Sequence, residues 1–168
     1  MRDDILLDVV EIKKLCVEKD ITLAVAESLT AGKIQDALAS VPGASGYFLG
    51  GMTVYNLDAK VRMLGVSRKH AEEVNSVSRR VAQAMALGVA RKFKADIGLA
   101  TTGYAEPDPS HNVEKPFAYY TISTQHVPLV EGMPKVLFKI PARNEVREQV
   151  AGSVLNSLLE LLREGTYI

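Results

Sequence analysis

"AVAESLTAGKIQ", residues 24–35, joins an apolar run to a helical pattern through polar side chains. The run at residues 21–26 is short, β-branched at its start and apolar on both faces, which is typical of a central strand covered on both sides. Three polar residues follow it: Glu27, Ser28 and Thr30. The helical pattern covers residues 30–40. Such a junction predicts either helix-capping side chains or a reactive hydroxyl where a strand ends.

Helical and extended patterns alternate along the rest of the chain. Helices are predicted at residues 3–18, 30–40, 57–64, 79–94 and 144–163, and strands at 21–26, 50–55, 97–101, 117–124 and 136–140. Asn56 and Ser78 occupy N-cap positions and Gly65 a C-terminal position. The last two strands are joined by a polar stretch without a helix, so antiparallel pairing is expected. The pattern predicts an α/β protein, a three-layer α/β/α sandwich with a mixed, partly antiparallel sheet.

Composition limits the class of protein. A chain of 168 residues with 47% hydrophobic and 24% charged residues is expected to form one globular domain over residues 1–168. The 20 Lys and Arg balance the 20 Asp and Glu, which disfavours a nucleic-acid partner. No apolar run approaches the roughly 20 residues that cross a bilayer, and the first ten residues do not resemble a signal peptide. A cytoplasmic location without a membrane partner is therefore expected.

Cofactor and metal motifs are absent from the sequence. It contains no G-x-x-x-x-G-K-[ST], no G-x-G-x-x-G and no H-E-x-x-H. The single cysteine, Cys16, excludes an internal disulfide and a cysteine-based zinc cluster, and its helical context predicts a buried thiol. The sequence therefore predicts neither a cofactor nor a metal ion.

Polar residues follow each of the first three predicted strands. Ligands of open α/β sheets bind at the carboxyl ends of strands, so these residues are expected to converge on one site. The three groups are Glu27, Ser28 and Thr30; Tyr55, Asn56 and Lys60; and Thr101, Thr102 and Gly103.

Ser28 is the candidate nucleophile, because a hydroxyl at a strand-to-helix turn faces a cleft beside backbone N–H groups. The three histidines lie in surface-like segments, which disfavours a Ser-His-Asp triad. Lys60 is the better candidate for the base, one helical turn beyond Asn56, but it must be neutral. Burial and a neighbouring cation could lower its pKa, and Arg143 could be that cation or could bind a phosphate.

Each of these residues also has a structural interpretation. Ser28 and Thr30 could be helix caps, and Lys60 could be a solvated helix lysine. Tyr55 could be a half-buried strand aromatic, and Thr102 with Gly103 only a strand end and turn. Glu27 and Arg147 also have more than one interpretation. Glu27 could orient Lys60 or Thr30, or it could be an unpaired acid in a loop. Arg147 could be an exposed charge on a helix.

Several segments give the chain a family resemblance. They are "AESLTAG", "VPGASGYFLGGMTVYNLDAKVRMLGV", "VSRRVAQAMALGVARKFKADIGLATTG", "EKPFAYYTIST" and "PARNEVREQV". In this order and spacing the chain resembles the C-terminal domain of the competence/damage-inducible protein family CinA, whose stand-alone members include nicotinamide mononucleotide deamidases. The resemblance covers most of the chain.

The resemblance implies an α/β/α fold, a homodimer or higher homo-oligomer, and an amidohydrolase that converts nicotinamide mononucleotide to nicotinate mononucleotide and ammonia. It places Ser28 on the family serine, Tyr55 and Lys60 on the "Y-x-x-x-x-K" segment, Thr102 on the "TG" strand end and Arg143 before the last helix. The expected catalytic residues are thus Ser28, Lys60, Tyr55 and Thr102. The expected residues that bind a small-molecule nucleotide are Thr30, Gly32, Gly103 and Arg143.

Two segments depart from the family pattern. Active members usually read "AES-C-T-G-G", where this chain has Leu29 and Ala31. The glycine-rich loop after "TG" is replaced by "YAEPDPSHNVEK", in which Glu106 and Asp108 introduce negative charge and the prolines remove N–H donors. Three hypotheses follow: the family amidohydrolase, a catalytically silent relative that binds a nucleotide or protein, and a hydrolase of another amide.

Overall fold

A five-stranded sheet lies between two layers of helices in the computed structural model, which describes residues 3–132 and 142–165. The helices are α1 (Asp3–Glu18), α2 (Lys33–Ala39), α3 (Leu57–Leu64), α4 (Arg68–Glu73), α5 (Arg79–Phe93) and α6 (Arg143–Glu164), with short 3₁₀ turns at Ala44–Gly46 and Pro109–His111. The strands are β1 (Leu23–Glu27), β2 (Phe48–Thr53), β3 (Ile97–Tyr104), β4 (Phe117–Ser123) and β5 (Pro128–Gly132).

The sheet is mixed, as the sequence predicts. Its strand order is β2-β1-β3-β4-β5, in which β1 pairs in parallel with β2 and β3, whereas β4 and β5 continue antiparallel. Glu27, the last residue of β1, is in register with Thr53 of β2 and Thr101 of β3. The polar residues at the carboxyl ends of these three strands therefore lie at one edge of the sheet.

Each face of the sheet carries its own hydrophobic core. Leu23 and Val25 of β1 face a core shared with α1, α2 and α6, whereas Ala24 and Ala26 face one shared with α3, α4 and α5. This alternation explains why β1 is apolar on both faces. The side chains facing α5 are small, and a Cβ at Gly98 of β3 would collide with the carbonyl oxygen of Ala86. Helix α5 therefore packs close to the sheet.

The predicted capping residues are found at the ends of helices α3 and α5. The Asn56 side chain accepts a hydrogen bond from the Ala59 N–H at 2.8 Å, and the Ser78 side chain accepts one from the Val81 N–H at 3.1 Å. Gly65 ends α3 in the left-handed conformation, with a φ of 70°. Such a conformation favours glycine because it has no Cβ.

Cys16 is fully buried on α1. Burial raises the pKa of its thiol to about 12, so the thiol stays protonated at neutral pH. The predicted structural thiol is confirmed. The described helices include none that is both long and apolar enough to traverse a lipid bilayer.

Several predictions differ from the structure, including the limits of the first three strands: β1 covers residues 23–27 rather than 21–26, β2 covers 48–53 rather than 50–55, and β3 extends to Tyr104 rather than ending at Thr101. Helix α2 begins at Lys33 rather than Thr30, because residues 28–32 form a turn. The stretch predicted as a polar connection contains strand β5, which pairs with β4 through a short hairpin. The predicted strand at residues 136–140 lies outside the described residues. Helix α4 was not predicted, because its sequence RKHAEE is polar and Ala71 is its one buried residue.

Candidate active site

A cavity of about 230 Å³ opens where the first three strands end. Its walls come from the turn after β1, the start of α3, the segment between α4 and α5, and the end of β3. The lining residues are Ser28, Leu29, Tyr55, Asn56, Leu57, Lys60, Asn75, Ser76, Val77, Thr102, Gly103 and Tyr104. The predicted convergence of polar groups at this edge of the sheet is therefore observed.

Ser28 and Lys60 are hydrogen-bonded to each other at the base of this cavity. The Lys60 Nζ lies 3.0 Å from the Ser28 Oγ and donates a second hydrogen bond to the Tyr55 carbonyl oxygen at 2.8 Å. Only 1% of Lys60 is exposed. Lys60 is therefore not the solvated helix lysine of the structural interpretation, and the distance allows direct proton transfer between the two side chains.

Burial lowers the pKa of Lys60 from 10.5 to about 8. The pKa falls because burial removes the water that stabilises the charged ammonium. Arg143 was expected to help as a neighbouring cation, but it forms an ion pair with Glu106 at 2.5 Å. The neutral amine that a base requires is thus accessible near physiological pH without a second cation.

Glu27 holds the start of α2. Its carboxylate accepts hydrogen bonds from the N–H groups of Gly32, Ile34 and Gln35 at 3.0, 3.2 and 2.9 Å, and from the Gln35 side chain at 3.0 Å. The N-cap residue of α2 is Gly32, which has no side chain to accept such a bond. The interpretation of Ser28 and Thr30 as caps is therefore wrong, because Glu27 fills that role.

Three of the four predicted substrate-binding residues, Thr30, Gly32 and Arg143, are not part of the cavity lining. The Thr30 hydroxyl shares a 2.7 Å hydrogen bond with the Thr101 hydroxyl, and both residues are fully buried. The Gly32 N–H is bonded to Glu27. The Thr30 hydroxyl and the Gly32 N–H are therefore used within the protein, where they stabilise the turn after β1, and are not directed at a ligand.

Thr102 and Gly103 line the cavity as expected, but their polar atoms are constrained. The Thr102 hydroxyl donates to the Ser76 carbonyl oxygen at 2.7 Å, so its proton is not directed at a ligand. A Cβ at Gly103 would collide with the carbonyl oxygen of Phe117 on β4. Glycine at this position permits the close pairing of β3 with β4.

The turn after Ser28 supplies candidate oxyanion donors. Among the hydrogen bonds between described residues, none has the N–H of Leu29 or Thr30 as its donor. The Ser28 N–H, in contrast, donates to the Thr101 carbonyl oxygen at 3.1 Å. The N–H of the residue after a nucleophile is a common oxyanion donor in hydrolases. Leu29, which also lines the cavity, is therefore the first candidate for that role.

The two departures near Ser28 are accommodated by packing and backbone conformation. Leu29 is buried in a small cluster with Ala105, Ala118 and residues of α6, including Val150. Ala31 has a φ of 45°, in the left-handed region that favours glycine. The turn therefore contains an alanine in a strained conformation, and Leu29 packs the turn against the final helix.

Arg147 on α6 holds the same turn from outside. Its guanidinium donates to the carbonyl oxygen of Leu29 at 3.0 Å and to that of Thr30 at 3.2 Å. It is thus neither an isolated nor a simply exposed helix charge. The sequence alone did not indicate this contact, because 118 residues separate Arg147 from Leu29.

We expect Arg147→Met to lower kcat of the proposed hydrolysis by about tenfold while leaving KM within about twofold, because a misplaced nucleophile weakens transition-state stabilisation more than substrate binding. Arg147→Lys should recover part of the loss, since one ammonium can bond one of the carbonyl oxygens. Steady-state kinetics with circular dichroism spectra of both variants would measure this. An unchanged kcat would show that the contact only stabilises the fold.

The segment between α4 and α5 was missed by sequence reasoning. Asn75 and Ser76 both have positive φ values, of 46° and 60°, and both line the cavity. The Asn75 side chain donates to the Tyr104 hydroxyl at 2.8 Å. Asparagine tolerates the left-handed region, and this was the available signal. Non-glycine residues in this region are concentrated at functional sites.

Arg143 is bonded to Tyr55, a residue of the cavity lining. One terminal nitrogen of its guanidinium is 2.5 Å from Glu106 Oε1, and the other is 2.5 Å from the Tyr55 hydroxyl. Tyr55 therefore links two functional candidates, since its carbonyl oxygen bonds Lys60 and its hydroxyl bonds Arg143. Its side chain is exposed, not a half-buried strand aromatic.

The three histidines are bonded away from Ser28. The His70 ring contacts the Ser78 hydroxyl, the His111 ring contacts Asp108, and the backbone N–H of His126 donates to the Thr124 hydroxyl.

Within the part of the chain that the structure describes, no group of three His, Cys, Asp or Glu is arranged to hold a metal ion.

The fold and the site together define a class: α/β/α proteins with a serine–lysine pair at the carboxyl edge of a mixed sheet. Comparison with known sequences identifies the family. The profile described as the CinA C-terminal domain matches residues 9–162 of the chain. The chain belongs to the CinA C-terminal domain family, which confirms the resemblance derived from its motifs.

Relatives support this membership. The chain is 37% identical over 162 residues to a CinA-like protein of Flavobacterium psychrophilum, which covers 95% of this chain and 36% of the relative. It is 40% identical over 148 residues to a CinA-like protein of Desulfotalea psychrophila, covering 87% of this chain and 35% of the relative. The chain thus spans about a third of the length of these curated relatives.

Solved structures share the fold. The competence/damage inducible protein CihA from Agrobacterium tumefaciens superposes with a TM-score of 0.87 at 27% identity, over 96% of this chain and 97% of that chain. The competence damage-inducible protein A (ComA) from Klebsiella pneumoniae gives a TM-score of 0.87 at 21% identity, over 95% and 97% of the two chains. The predicted α/β/α architecture is confirmed.

Proposed function

We propose that this protein is an amidohydrolase in which Ser28 is the nucleophile and Lys60 the general base. The observation that supports this proposal most directly is the 3.0 Å contact between the Lys60 Nζ and the Ser28 Oγ. The lowered pKa of Lys60 adds to it, because a base must be able to lose its proton near the working pH.

In the proposed reaction Lys60 accepts or donates the proton in every step. Neutral Lys60 takes the Ser28 proton as the Ser28 oxygen attacks the carboxamide carbon, and the N–H of Leu29 bonds the developing oxyanion. The Lys60 ammonium then gives its proton to the leaving nitrogen, which departs as ammonia. Lys60, neutral again, removes a proton from a water molecule that attacks the acyl-enzyme. The carboxylic acid product is released and Ser28 regains its proton.

Nicotinamide mononucleotide is the substrate that we propose to test first. The family resemblance supports it, and so does the guanidinium of Arg143 beside Tyr55 of the cavity lining, since guanidinium groups bind phosphate well. Three residues of the cavity lining, Asn75, Val77 and Tyr104, also line a second cavity of about 350 Å³, which adds space for a ligand beside the proposed carboxamide position.

Ammonia release from nicotinamide mononucleotide tests this proposal. Purified protein at micromolar concentration should release ammonia and form nicotinate mononucleotide in equal amounts, with and without a metal chelator. Mass spectrometry would identify the product. Absence of release would reject this substrate. Release from other carboxamides would then favour a hydrolase of a different amide, and mononucleotide binding without release from any carboxamide would favour the silent binding protein.

Activity should rise with pH as Lys60 loses its proton. With a pKa of about 8, only about a tenth of the protein carries a neutral Lys60 at pH 7, so kcat/KM should rise about tenfold per unit below pH 8 and level off above pH 9. A pH–rate profile between pH 6 and pH 10 measures this. A flat profile across that range would contradict Lys60 as the base.

A homo-oligomer is also proposed. Helix α1 exposes several large apolar side chains, namely Leu6, Leu7, Val10 and Val17. Apolar patches of this kind often mark protein–protein contacts. Light scattering of the purified protein would give its molar mass, and a monomer at all concentrations would reject this proposal.

A further inference from the structure

We propose that Glu106 is a specificity-determining residue, which lowers the preference of this site for phosphorylated over unphosphorylated ligands by occupying the guanidinium of Arg143. This inference rests on the proposed function in one respect, namely that a substrate phosphate binds at Arg143. It concerns the loop at residues 104–115, where this chain differs from the family pattern.

The geometry makes Glu106 a direct competitor for an anion. Both terminal nitrogens of the Arg143 guanidinium are engaged, one by the Glu106 carboxylate at 2.5 Å and the other by the Tyr55 hydroxyl at 2.5 Å. A phosphate bound bidentately uses the same N–H groups as a carboxylate. Glu106 and Tyr55 each occupy one of the five N–H donors of the guanidinium, and a phosphate that binds at the terminal nitrogen held by Glu106 must displace its carboxylate.

The competition is graded rather than absolute, because the pair is exposed. The exposed fractions of the Arg143 and Glu106 side chains are 44% and 57%. An exposed ion pair changes a binding constant by up to about fivefold. A phosphate dianion carries more charge than a carboxylate and therefore competes well for the same guanidinium. The ligand can thus displace Glu106, but at reduced affinity. Repulsion between the displaced carboxylate and the phosphate adds to this effect.

The neighbouring acids of the loop are placed differently. Asp108 accepts hydrogen bonds from Ser110 and contacts the His111 ring at 2.7 Å, so it is bonded within its own turn. Glu114 is exposed and makes no hydrogen bond or ion pair with any other residue in the described part of the chain. Glu106 is the loop acid that contacts Arg143, and Glu114 therefore serves as a matched control with the same charge.

The test compares ligands that differ only in the phosphate. Calorimetric titrations with nicotinate mononucleotide and nicotinate riboside would be run on the unaltered protein, Glu106→Gln and Glu114→Gln. Glu106→Gln should bind the mononucleotide about three- to tenfold more tightly and the riboside within twofold of the unaltered protein. Glu114→Gln should change neither affinity. The gain should disappear when Arg143→Gln is added to Glu106→Gln, and should shrink at 0.5 M salt.

Four results would overturn the inference: unchanged mononucleotide binding by Glu106→Gln, weaker mononucleotide binding by Glu106→Gln, equal tightening for both ligands, or no mononucleotide binding by the unaltered protein and by Glu106→Gln. Weaker binding would mean that the ion pair holds the loop in a ligand-binding position. Because nicotinate mononucleotide and nicotinate riboside both lack the carboxamide that the proposed reaction cleaves, these titrations do not depend on turnover. If the protein releases ammonia but Glu106→Gln does not change mononucleotide affinity, this inference is rejected and the proposed hydrolysis is kept. If the titrations give the expected result but no ammonia is released, the proposed hydrolysis is rejected and this inference is kept.

Discussion

Lys60→Met should reduce ammonia release by at least about a thousandfold and, at the same time, stabilise the protein at pH 7. The loss of activity follows because the methionine thioether cannot accept the proton of Ser28, whose hydroxyl is a weak nucleophile without a base. The methionine side chain is close to lysine in length and fills the same buried space. The variant therefore removes the amine with little change in packing.

The gain in stability follows from the lowered pKa of Lys60. Its pKa is about 8 in the folded protein and 10.5 as the ordinary value, so the unfolded chain binds the proton more tightly. Below pH 8 this difference disfavours folding by about 3 kcal/mol. Stability of the unaltered protein should rise between pH 8 and pH 10.5, where the unfolded state holds more protons. Lys60→Met lacks this rise and should have a Tm several degrees higher at pH 7.

Thermal unfolding at several pH values and ammonia assays would measure both effects. Lys69→Met is a matched control, because Lys69 is exposed on α4 and lies outside the cavity lining. It should leave activity and Tm nearly unchanged. A large residual rate in Lys60→Met would remove lysine from the role of base. A lower Tm would mean that its two hydrogen bonds outweigh the cost of burying the amine.

Ser28→Ala should lower kcat by at least about a thousandfold, because no other atom in the proposed mechanism forms the acyl-enzyme. Binding of nicotinate mononucleotide should stay within a few-fold, since the small hydroxyl contributes little of the contact with the ligand. The Ser28→Ala and Lys60→Met double variant should be no slower than either single variant, because the two residues act as a unit.

Ser40→Ala is the matched control for the serine. Ser40 lies at the other end of α2, where its hydroxyl donates to the Ala37 carbonyl oxygen at 2.7 Å. Its loss should not change kcat. Mass spectrometry of protein quenched during turnover should detect an acylated Ser28 peptide in the unaltered protein only. Ammonia release that survives Ser28→Ala would reject the serine mechanism while leaving the reaction itself open.

Much of the fold follows from local patterns. The predicted limits of α1 and α3 match the structure, and those of α5 differ by one residue, because capping residues and apolar spacing act over a few positions. Strand β5 was missed because its sequence PLVEG is short and contains proline and glycine. Its pairing with β4 outweighs these local preferences, and such pairing is a tertiary effect.

For the candidate site, some of the predicted residues were correct and others were not. Ser28 and Lys60 were expected to meet and do so. Thr30 and Gly32 were assigned to ligand binding, whereas the Thr30 hydroxyl is bonded to Thr101 and the Gly32 N–H to Glu27. Residue type and strand position indicate which side chains reach this edge of the sheet. They do not indicate whether a polar group still has a free hydrogen bond, because its partner lies elsewhere in the chain.

The sequence by itself determined the family, the α/β/α layering and the edge of the sheet at which polar residues converge, since these depend on periodicity and short motifs. Only the tertiary structure decided the chemical state of those residues. Lys60 can be neutral because segments distant in sequence bury it, and Arg143 is paired with Glu106 across 37 positions of the chain. A pKa or an ion pair depends on the whole surrounding of a group, which forms only when the chain has folded.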